Sequence, residues 1–358
     1  MNRNNIWHEW CEAMDRARRD NGVPGLAIAM VENGTDIKTR CFGTRDIRSG
    51  SPVTEQTLFS IGSTQKSVTA MFVASLIDDG LFSWETPVQQ FCPHIHFDDA
   101  HAGLNISMRH LLGMCSGLPA GADQIFDQEA ASAEDIFSFI AHAPLQCLPG
   151  ERFDYSNLSF AAAGYAGALA DGARWGQLEA DFARKVRQRI LQPIGMQDAT
   201  LSEGEARASC HCSMAHMFND ADELVVIDDE VIRSFWLPPS GGMRASIRDM
   251  AKYLSTQIRD GIAPDGMEIV SARNLHETWT AQIAQASGRY YGMGWEFDEA
   301  EADALFFHEG AYEGFLALVA MIPERQTGIV VLCNMDVDDI FLQSALTQWC
   351  EFVDADEQ

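Results

Sequence analysis

Segments that favour β-strands lie near the two ends of this chain, and a long stretch without them lies between. Residues 24–34 predict a strand that ends in an Asn33-Gly34 turn, and residues 36–43 predict a second strand, so the two form a β-hairpin. Acidic or Pro/Gly turns separate four more strand candidates at residues 291–297, 304–308, 315–322 and 327–334. These segments together predict one antiparallel sheet.

The middle of the chain, residues 83–237, carries apolar residues at helical spacing, for example Ile136, Phe137 and Ile140. We therefore expect a mostly helical domain there and a sheet domain formed by residues 1–82 and 238–358. Helices predicted at residues 4–20 and 338–352 would cover one face of the sheet. The sequence thus predicts an α+β fold, an antiparallel β-sheet flanked by helices, with the active site in the cleft between the two domains.

Length and composition indicate an ordinary globular protein. The 358 residues are 46% hydrophobic, which is enough to bury a substantial core. Apolar runs such as residues 315–322 are far shorter than the roughly 20 residues that cross a bilayer. Residues 1–19 lack the basic start and apolar centre of a signal peptide, and nine scattered cysteines are typical of reduced thiols. We therefore expect a cytoplasmic protein.

The charge balance narrows the choice of partners. The net charge is −27, from 25 basic against 52 acidic side chains. Such a surface repels phosphate backbones and anionic lipids, so we expect a small molecule or a short peptide as substrate rather than nucleic acid or a membrane. The same acidic, lysine-poor pattern fits adaptation to a saline habitat, and the sequence does not separate the two explanations. It also leaves the oligomeric state open.

One local cluster, Cys210-His211-Cys212, contains residues of metal-binding type. Adjacent ligands at this spacing, with no second Cys or His pair nearby, are a weak zinc signal. A loop with incidental thiols is the preferred interpretation, and no metal site is predicted.

The first candidate for chemistry is Ser63-Thr-Gln-Lys66, at the start of a predicted helix that closes at Gly80. A spacing of three residues puts both side chains on one helix face. The first turn adds free backbone N–H groups and the positive end of the helix dipole near Ser63. Lys66 can act as a base there if burial and positive potential lower its pKa. The alternative is a helix cap followed by a solvated lysine.

The second candidate is residues 149–157, a turn that leads into an apolar helical run. At the helix entrance, the phenol of Tyr155 can meet the Ser63–Lys66 pair and serve as a general base or proton relay. The amide of Asn157 can bind Lys66 or a substrate carbonyl. Alternatively, Tyr155 packs under the loop and Asn157 caps the helix.

The third candidate is residues 307–311, on a predicted strand that ends in a glycine-rich turn. Gly310 permits a close approach of backbone, so the N–H of Ala311 can join that of Ser63 in an oxyanion hole. The alternative for His308 is a surface histidine on a strand.

These three motifs resemble, in order, those of the serine β-lactamase and penicillin-binding-protein superfamily. The nearest branch is class C β-lactamase-like, which includes esterases, D-aminopeptidases and acyltransferases. The resemblance covers about residues 20–345 and implies a β-lactamase/transpeptidase-like fold. Four further stretches fit the same pattern: His110-Leu-Leu-Gly-Met-Cys-Ser-Gly-Leu-Pro, Leu191-Gln-Pro-Ile-Gly-Met, Gly241-Gly-Met-Arg-Ala-Ser-Ile-Arg-Asp-Met-Ala and Tyr291-Gly-Met-Gly-Trp.

The resemblance also implies roles for the motif residues. Ser63 becomes the nucleophile, Lys66 its activating base and Tyr155 the proton relay. Asn157 is expected to bind Lys66 and substrate, and His308, Gly310 and Ala311 are expected on the substrate and oxyanion side. The resemblance implies no metal and no organic cofactor.

One departure from the family pattern bears on the substrate. Where β-lactamases and DD-peptidases usually carry Lys-Thr-Gly or Lys-Ser-Gly, this chain has His308-Glu309-Gly310. An imidazole and a carboxylate, if both face the cleft, weaken recognition of a substrate carboxylate. If Glu309 points away, because alternate strand residues face opposite sides, His308 alone meets the substrate.

The motifs leave several functions open. The leading hypothesis is a serine acyl hydrolase of esterase or D-stereospecific amidase or peptidase type, acting on esters, amides or D-amino-acid peptides. An acyltransferase or thioesterase-like peptide cyclase would use the same acyl-enzyme on Ser63 but deliver it to an amine or alcohol. A β-lactamase and a non-catalytic binding protein are the lesser alternatives.

Overall fold

The computed structural model describes residues 3–98, 105–119, 132–227, 237–298, 303–337 and 340–355. Its helices are α1 (Arg3–Asp20), α2 (Gln65–Asp78), α3 (Met108–Leu112), α4 (Asp135–His142), α5 (Asn157–Ala170), α6 (Leu178–Val186), α7 (Gln192–Ile194), α8 (Glu203–Ala208), α9 (Pro238–Gly241), α10 (Ile247–Ile258), α11 (Ala272–Trp279) and α12 (Ile340–Ala355). Short 3₁₀ turns cover Gly62–Thr64, Val88–Phe91 and Pro323–Arg325.

The strands are β1 (Gly25–Glu32), β2 (Asp36–Asp46), β3 (Ser51–Pro52), β4 (Phe59–Ser60), β5 (His216–Phe218), β6 (Leu224–Val226), β7 (Arg244–Ala245), β8 (Ile283–Ala284), β9 (Tyr290–Tyr291), β10 (Glu296–Phe297), β11 (Phe306–Tyr312), β12 (Phe315–Ile322) and β13 (Thr327–Cys333). Nine of them form one antiparallel sheet in the order β3-β2-β1-β13-β12-β11-β10-β9-β8. The N-terminal hairpin thus pairs with the last strand, which confirms a single sheet built from both ends of the chain.

Side-chain alternation along β1 shows how the sheet is covered on both faces. Leu26 and Ile28 belong to one apolar cluster, which also holds residues of α1 and α12. Ala27 and Ala29 belong to the other cluster, with residues of α2, α5 and α10. Because successive strand residues point to opposite faces, a strand that is buried on both sides needs a continuous apolar run. The predicted flanking of the sheet by helices, with the terminal helices on one face, is confirmed.

Two strand predictions differ from the structure. The single strand predicted at residues 291–297 is a tight hairpin, β9 and β10, because residues 292–295 leave the ladder. Gly294 there has a φ of +81°, and a Cβ at that position would lie 2.6 Å from the backbone nitrogen of Ser67. The turn therefore packs directly on the first turn of α2, and only glycine fits. In addition, the stretch 83–237, predicted without strands, contains the hairpin β5–β6.

The stretch 83–237 also contacts the sheet more closely than a separate helical domain would. The backbone of Ser213 bonds to Leu58, and that of Met214 bonds to Arg45. The boundaries proposed for two domains therefore stay a prediction. Within the residues described, no helix combines the length and apolar character needed to span a bilayer.

Candidate active site

Lys66 is a fully buried cation with a set of fixed acceptors. It lies in the first turn of α2, one helical turn after Ser63, which belongs to the preceding 3₁₀ turn. Its Nζ donates to Ser63 Oγ at 2.8 Å, to Asn157 Oδ1 at 2.7 Å and to the backbone oxygen of Ser240 at 2.9 Å. Burial of an ammonium group is tolerated only with such partners. The alternative of a solvated lysine is wrong.

Tyr155 is the second side chain that contacts Ser63. Its hydroxyl donates to Ser63 Oγ at 2.7 Å, and its ring centroid lies 4.8 Å from Lys66 Nζ. The side chain is 40% exposed, so it is not packed under the loop. The cap of α5 is Ser156, whose side chain accepts from the Ser159 N–H. The alternative role of Asn157 as the helix cap is therefore wrong.

Ser63 Oγ thus accepts hydrogen bonds from two donors, an ammonium group and a phenol. Donors aimed at an oxygen stabilise the negative charge that develops when it loses its proton. Such an arrangement can activate a serine hydroxyl as a nucleophile.

Ser240 also contacts this group of residues, although the sequence did not predict it. Three consecutive backbone carbonyls, those of residues 238–240, each accept a hydrogen bond from a side chain of α2: Gln65, Thr69 and Lys66. The Ser240 hydroxyl also donates to the Asn157 carbonyl at 2.5 Å, which ties α9 to the start of α5. The only signal in the sequence was its position directly before the Gly241-Gly-Met-Arg stretch.

His308 lies inside β11, with only 2% of its surface exposed, so it is not a surface histidine. Its Nδ1 is 2.6 Å from the Glu309 carbonyl oxygen, which can only accept, so Nδ1 carries the proton. Its Nε2 lies 3.2 Å from the Tyr291 hydroxyl. Burial, and to a lesser degree the charge of Lys66, lowers the pKa of His308 to about 3. The ring is therefore neutral at physiological pH.

Glu309 points away from the site. In the register of β11 and β12, His308 pairs with Val319 and Glu309 pairs with Leu318. Val319 belongs to the cluster under the helices α2, α5 and α10, whereas Leu318 belongs to the cluster under the terminal helices. Of the two alternatives for Glu309, the structure supports the one in which it points away from His308, because the strand pleat puts it on the other face of the sheet.

At Gly310, the backbone of β11 lies against the turn that carries Ser63. A Cβ at this position would lie 2.3 Å from the Ile61 carbonyl oxygen and 3.0 Å from the Ser63 backbone nitrogen. Only a residue without a side chain permits this approach. The next residue, Ala311, is exposed, and its backbone nitrogen would lie 2.8 Å from a Cβ at Gly62, next to Ser63. Gly310 lies within the strand, and the turn follows at residues 313–314, later than predicted.

No group of three or more His, Cys, Asp or Glu side chains suited to holding a metal ion occurs in the part of the chain that the structure describes. All nine cysteines are free thiols, including Cys210 and Cys212.

Comparison with known proteins identifies the class that this fold and site define. The chain belongs to the beta-lactamase family, whose sequence model matches residues 12–344. The predicted family and fold are thereby confirmed.

Individual relatives are distant. The chain is 27% identical over 345 residues to the unguisins hydrolase ungD' of Aspergillus campestris, covering 90% of this chain and 61% of that protein. It is 22% identical over 316 residues to protein flp of Staphylococcus aureus, covering 88% and 60%. The chain thus spans about 60% of the length of the curated relatives it matches.

Two solved structures share the fold. An octameric penicillin-binding protein homologue from Pyrococcus abyssi superimposes with a TM-score of 0.77 at 23% identity, covering 94% of this chain and 74% of the other. The D-alanine carboxypeptidase AmpC from Burkholderia cenocepacia gives 0.78 at 19% identity, covering 98% and 99%.

Proposed function

We propose that this protein is a serine acyl hydrolase that forms an acyl-enzyme on Ser63. The observation that best supports this proposal is that Lys66 Nζ and the Tyr155 hydroxyl both bond to Ser63 Oγ, at 2.8 Å and 2.7 Å. Membership of the beta-lactamase family supports the same nucleophile. The name of the Aspergillus relative, a hydrolase, favours water as the acyl acceptor.

In the reactive form of the proposed site, one member of the Lys66–Tyr155 pair has released its own proton to solvent and is the base. Ser63 Oγ attacks the substrate carbonyl carbon, and the serine proton passes to that base. The backbone N–H groups of Ser63 and Ala311 bind the oxyanion. Tyr155 then returns a proton to the leaving group, and a water molecule repeats the sequence to release the acid. Asn157 and the Ser240 carbonyl hold Lys66 throughout.

Covalent labelling tests the proposal. A fluorophosphonate probe should add its mass to the peptide that contains Ser63, and Ser63→Ala should abolish the label. Lys66→Ala and Tyr155→Phe should each slow acylation by about a hundredfold or more, because each removes a group that moves the proton. Ser159→Ala, in the body of α5, serves as a control for substitution near the site. Labelling that survives Ser63→Ala would contradict the mechanism.

We further propose substrates without a carboxylate beside the scissile bond: esters, amides or D-amino-acid peptides. The support is the state of His308, which is neutral and has both ring nitrogens occupied, so it offers no cation to an anion. A β-lactam or a D-Ala-D-Ala peptide presents a carboxylate that would lack this partner.

Two substitutions at adjacent residues test the substrate class. His308→Lys should raise kcat/KM for a p-nitrophenyl ester that carries a terminal carboxylate, relative to its uncharged analogue, by about tenfold, because the longer side chain can bring an ammonium group to that carboxylate. Glu309→Thr is the matched control and should leave the ratio unchanged, since Glu309 lies on the other face of the sheet. An unchanged ratio in folded His308→Lys protein, or efficient nitrocefin hydrolysis by the unmodified protein, contradicts the proposal.

A further inference from the structure

Four aromatic rings form a cluster beside Ser63. Tyr291 is at its centre, with its ring centroid 5.6 Å from that of Phe153, 6.5 Å from that of Tyr155 and 6.0 Å from that of His308. The rings of Tyr155 and His308 are 6.3 Å apart. Tyr155 is exposed, whereas Tyr291 and His308 are buried. The proposed reaction uses only Tyr155 of this cluster.

The hydrogen bond between Tyr291 and His308 has a defined direction. His308 Nδ1 donates to the Glu309 carbonyl, so Nε2 of the neutral ring carries a lone pair and accepts. Burial, with the nearby Tyr155 contributing, raises the pKa of Tyr291 well above its ordinary value, so its hydroxyl keeps the proton. The Tyr291 hydroxyl, 3.2 Å away, is therefore the donor that satisfies Nε2.

Nε2 of a neutral imidazole is a more basic acceptor than the oxygen of a serine hydroxyl. The Tyr155 hydroxyl donates to Ser63 Oγ, and its ring adjoins that of His308. If Nε2 were open, it would compete with Ser63 Oγ for the Tyr155 proton. Moreover, a buried acceptor without a donor is costly in free energy. That cost would favour movement of the Tyr155 hydroxyl from Ser63 Oγ to His308 Nε2.

We propose that Tyr291 is a positioning residue for acyl transfer, whose hydroxyl occupies His308 Nε2 and thereby keeps the Tyr155 hydroxyl on Ser63 Oγ. This inference rests on the proposed function, because it concerns the geometry of the same nucleophile. Tyr291 touches neither the substrate nor Ser63 in this role. It acts through His308 and Tyr155.

Tyr291→Phe removes one oxygen and keeps the ring. The acylation rate constant for a neutral p-nitrophenyl ester should fall about tenfold, with KM within about twofold, since the loss amounts to one hydrogen bond. The matched control is Tyr290→Phe, which removes the hydroxyl of a half-buried neighbour that stacks on Phe297, outside the cluster. It should acylate within about twofold of the unmodified protein.

A second substitution separates positioning from a merely structural role. Adding His308→Leu to Tyr291→Phe removes the competing acceptor and leaves no buried polar atom unsatisfied in the pair. The double variant should acylate at least about fivefold faster than Tyr291→Phe alone, whereas two structural defects would add. The inference is overturned if Tyr291→Phe acylates at the rate of the unmodified protein, or if the double variant shows no recovery. Neither outcome affects the labelling of Ser63 in the unmodified protein.

The unmodified protein provides an independent measurement should Tyr291→Phe fail to fold. NMR of protein labelled with ¹⁵N-histidine reports the tautomer of His308. The proton on Nδ1, with Nε2 bare, is the expected result. A proton on Nε2 overturns the inference, because that nitrogen then cannot accept from Tyr291. Absence of any acylation of unmodified protein at Ser63 would instead refute the proposed function itself.

Discussion

At His308, transfer from water into the protein removes the hydration that an imidazolium needs, and the Lys66 ammonium lies nearby. Both effects disfavour the charged ring and bring its pKa to about 3. Burial also lowers the pKa values of His110 and His216 below the ordinary value. Each of these rings must take up a proton when the chain unfolds in mild acid, so all three link stability to pH.

The stability contribution of His308 has a defined pH window. The folded pKa lies below the unfolded value of 6.5, so the contribution is complete above pH 6.5 and is lost as pH falls toward 3. Between pH 7 and pH 5 the free energy of unfolding should fall by about 2 kcal/mol less in His308→Leu than in the unmodified protein. Urea titrations at both pH values measure this difference. Substitution of the exposed His96 by Gln is the control, and an equal loss in all three proteins would contradict the assignment.

The site depends on elements that are pressed together without intervening side chains. The hairpin turn at Gly294 meets the start of α2, and β11 meets the 3₁₀ turn that carries Ser63 at Gly310. From the other side, the carbonyls of α9 accept hydrogen bonds from side chains of α2. The turn that carries Ser63 and the helix α2 that follows it are therefore held between sheet and helices, which fixes their side chains in place.

Gly310→Ala tests the contact between β11 and the Ser63 turn. The added methyl group would meet the Ile61 carbonyl oxygen, so the strand must withdraw and carry the Ala311 N–H with it. Acylation should fall at least about a hundredfold, the typical cost of losing an oxyanion donor. Gly328→Ala, whose Cβ would lie 2.6 Å from the Ala320 carbonyl oxygen elsewhere in the sheet, is the control. It should lower the melting temperature, with near-normal acylation in the folded fraction. Equal acylation by both variants would refute the role of Gly310.

For the molecule as a whole, the net charge of −27 is a source of self-repulsion. Its basic side chains are largely engaged in pairs: Arg244 binds Glu203, Arg189 binds Asp171, and Arg248 binds Asp198. Excess carboxylates therefore remain on the surface without a cation to offset them.

Salt should consequently stabilise the protein. The Debye length falls from about 30 Å at 0.01 M to about 3 Å at 1 M, which screens repulsion between distant carboxylates. The melting temperature should rise by several degrees over this range of sodium chloride, and sodium chloride avoids the surface exclusion that sulfate adds. Differential scanning calorimetry measures it. A flat curve from low to molar salt would show that the acidic surface costs little stability.

Local patterns in the sequence were enough to predict the sheet, the Ser63–Lys66 contact and the family of this protein. The apolar runs of β1, β12 and β13 predicted the sheet, because a strand buried on both faces has no polar alternation. The spacing of Ser63 and Lys66 predicted their contact, since residues three apart share a helix face. The ordered motifs predicted the family. These features depend on neighbours in the chain, so the sequence alone shows them.

Only the tertiary structure determined the long-range contacts, the charge state of His308 and the orientation of Glu309. The bond from Tyr155 to Ser63 joins residues 92 positions apart, and that from Lys66 to the Ser240 carbonyl joins residues 174 apart. The neutrality of His308 follows from burial and from the nearby charge of Lys66, and the orientation of Glu309 follows from strand register. Charge state and register depend on what surrounds a residue in space, and no local pattern specifies those surroundings.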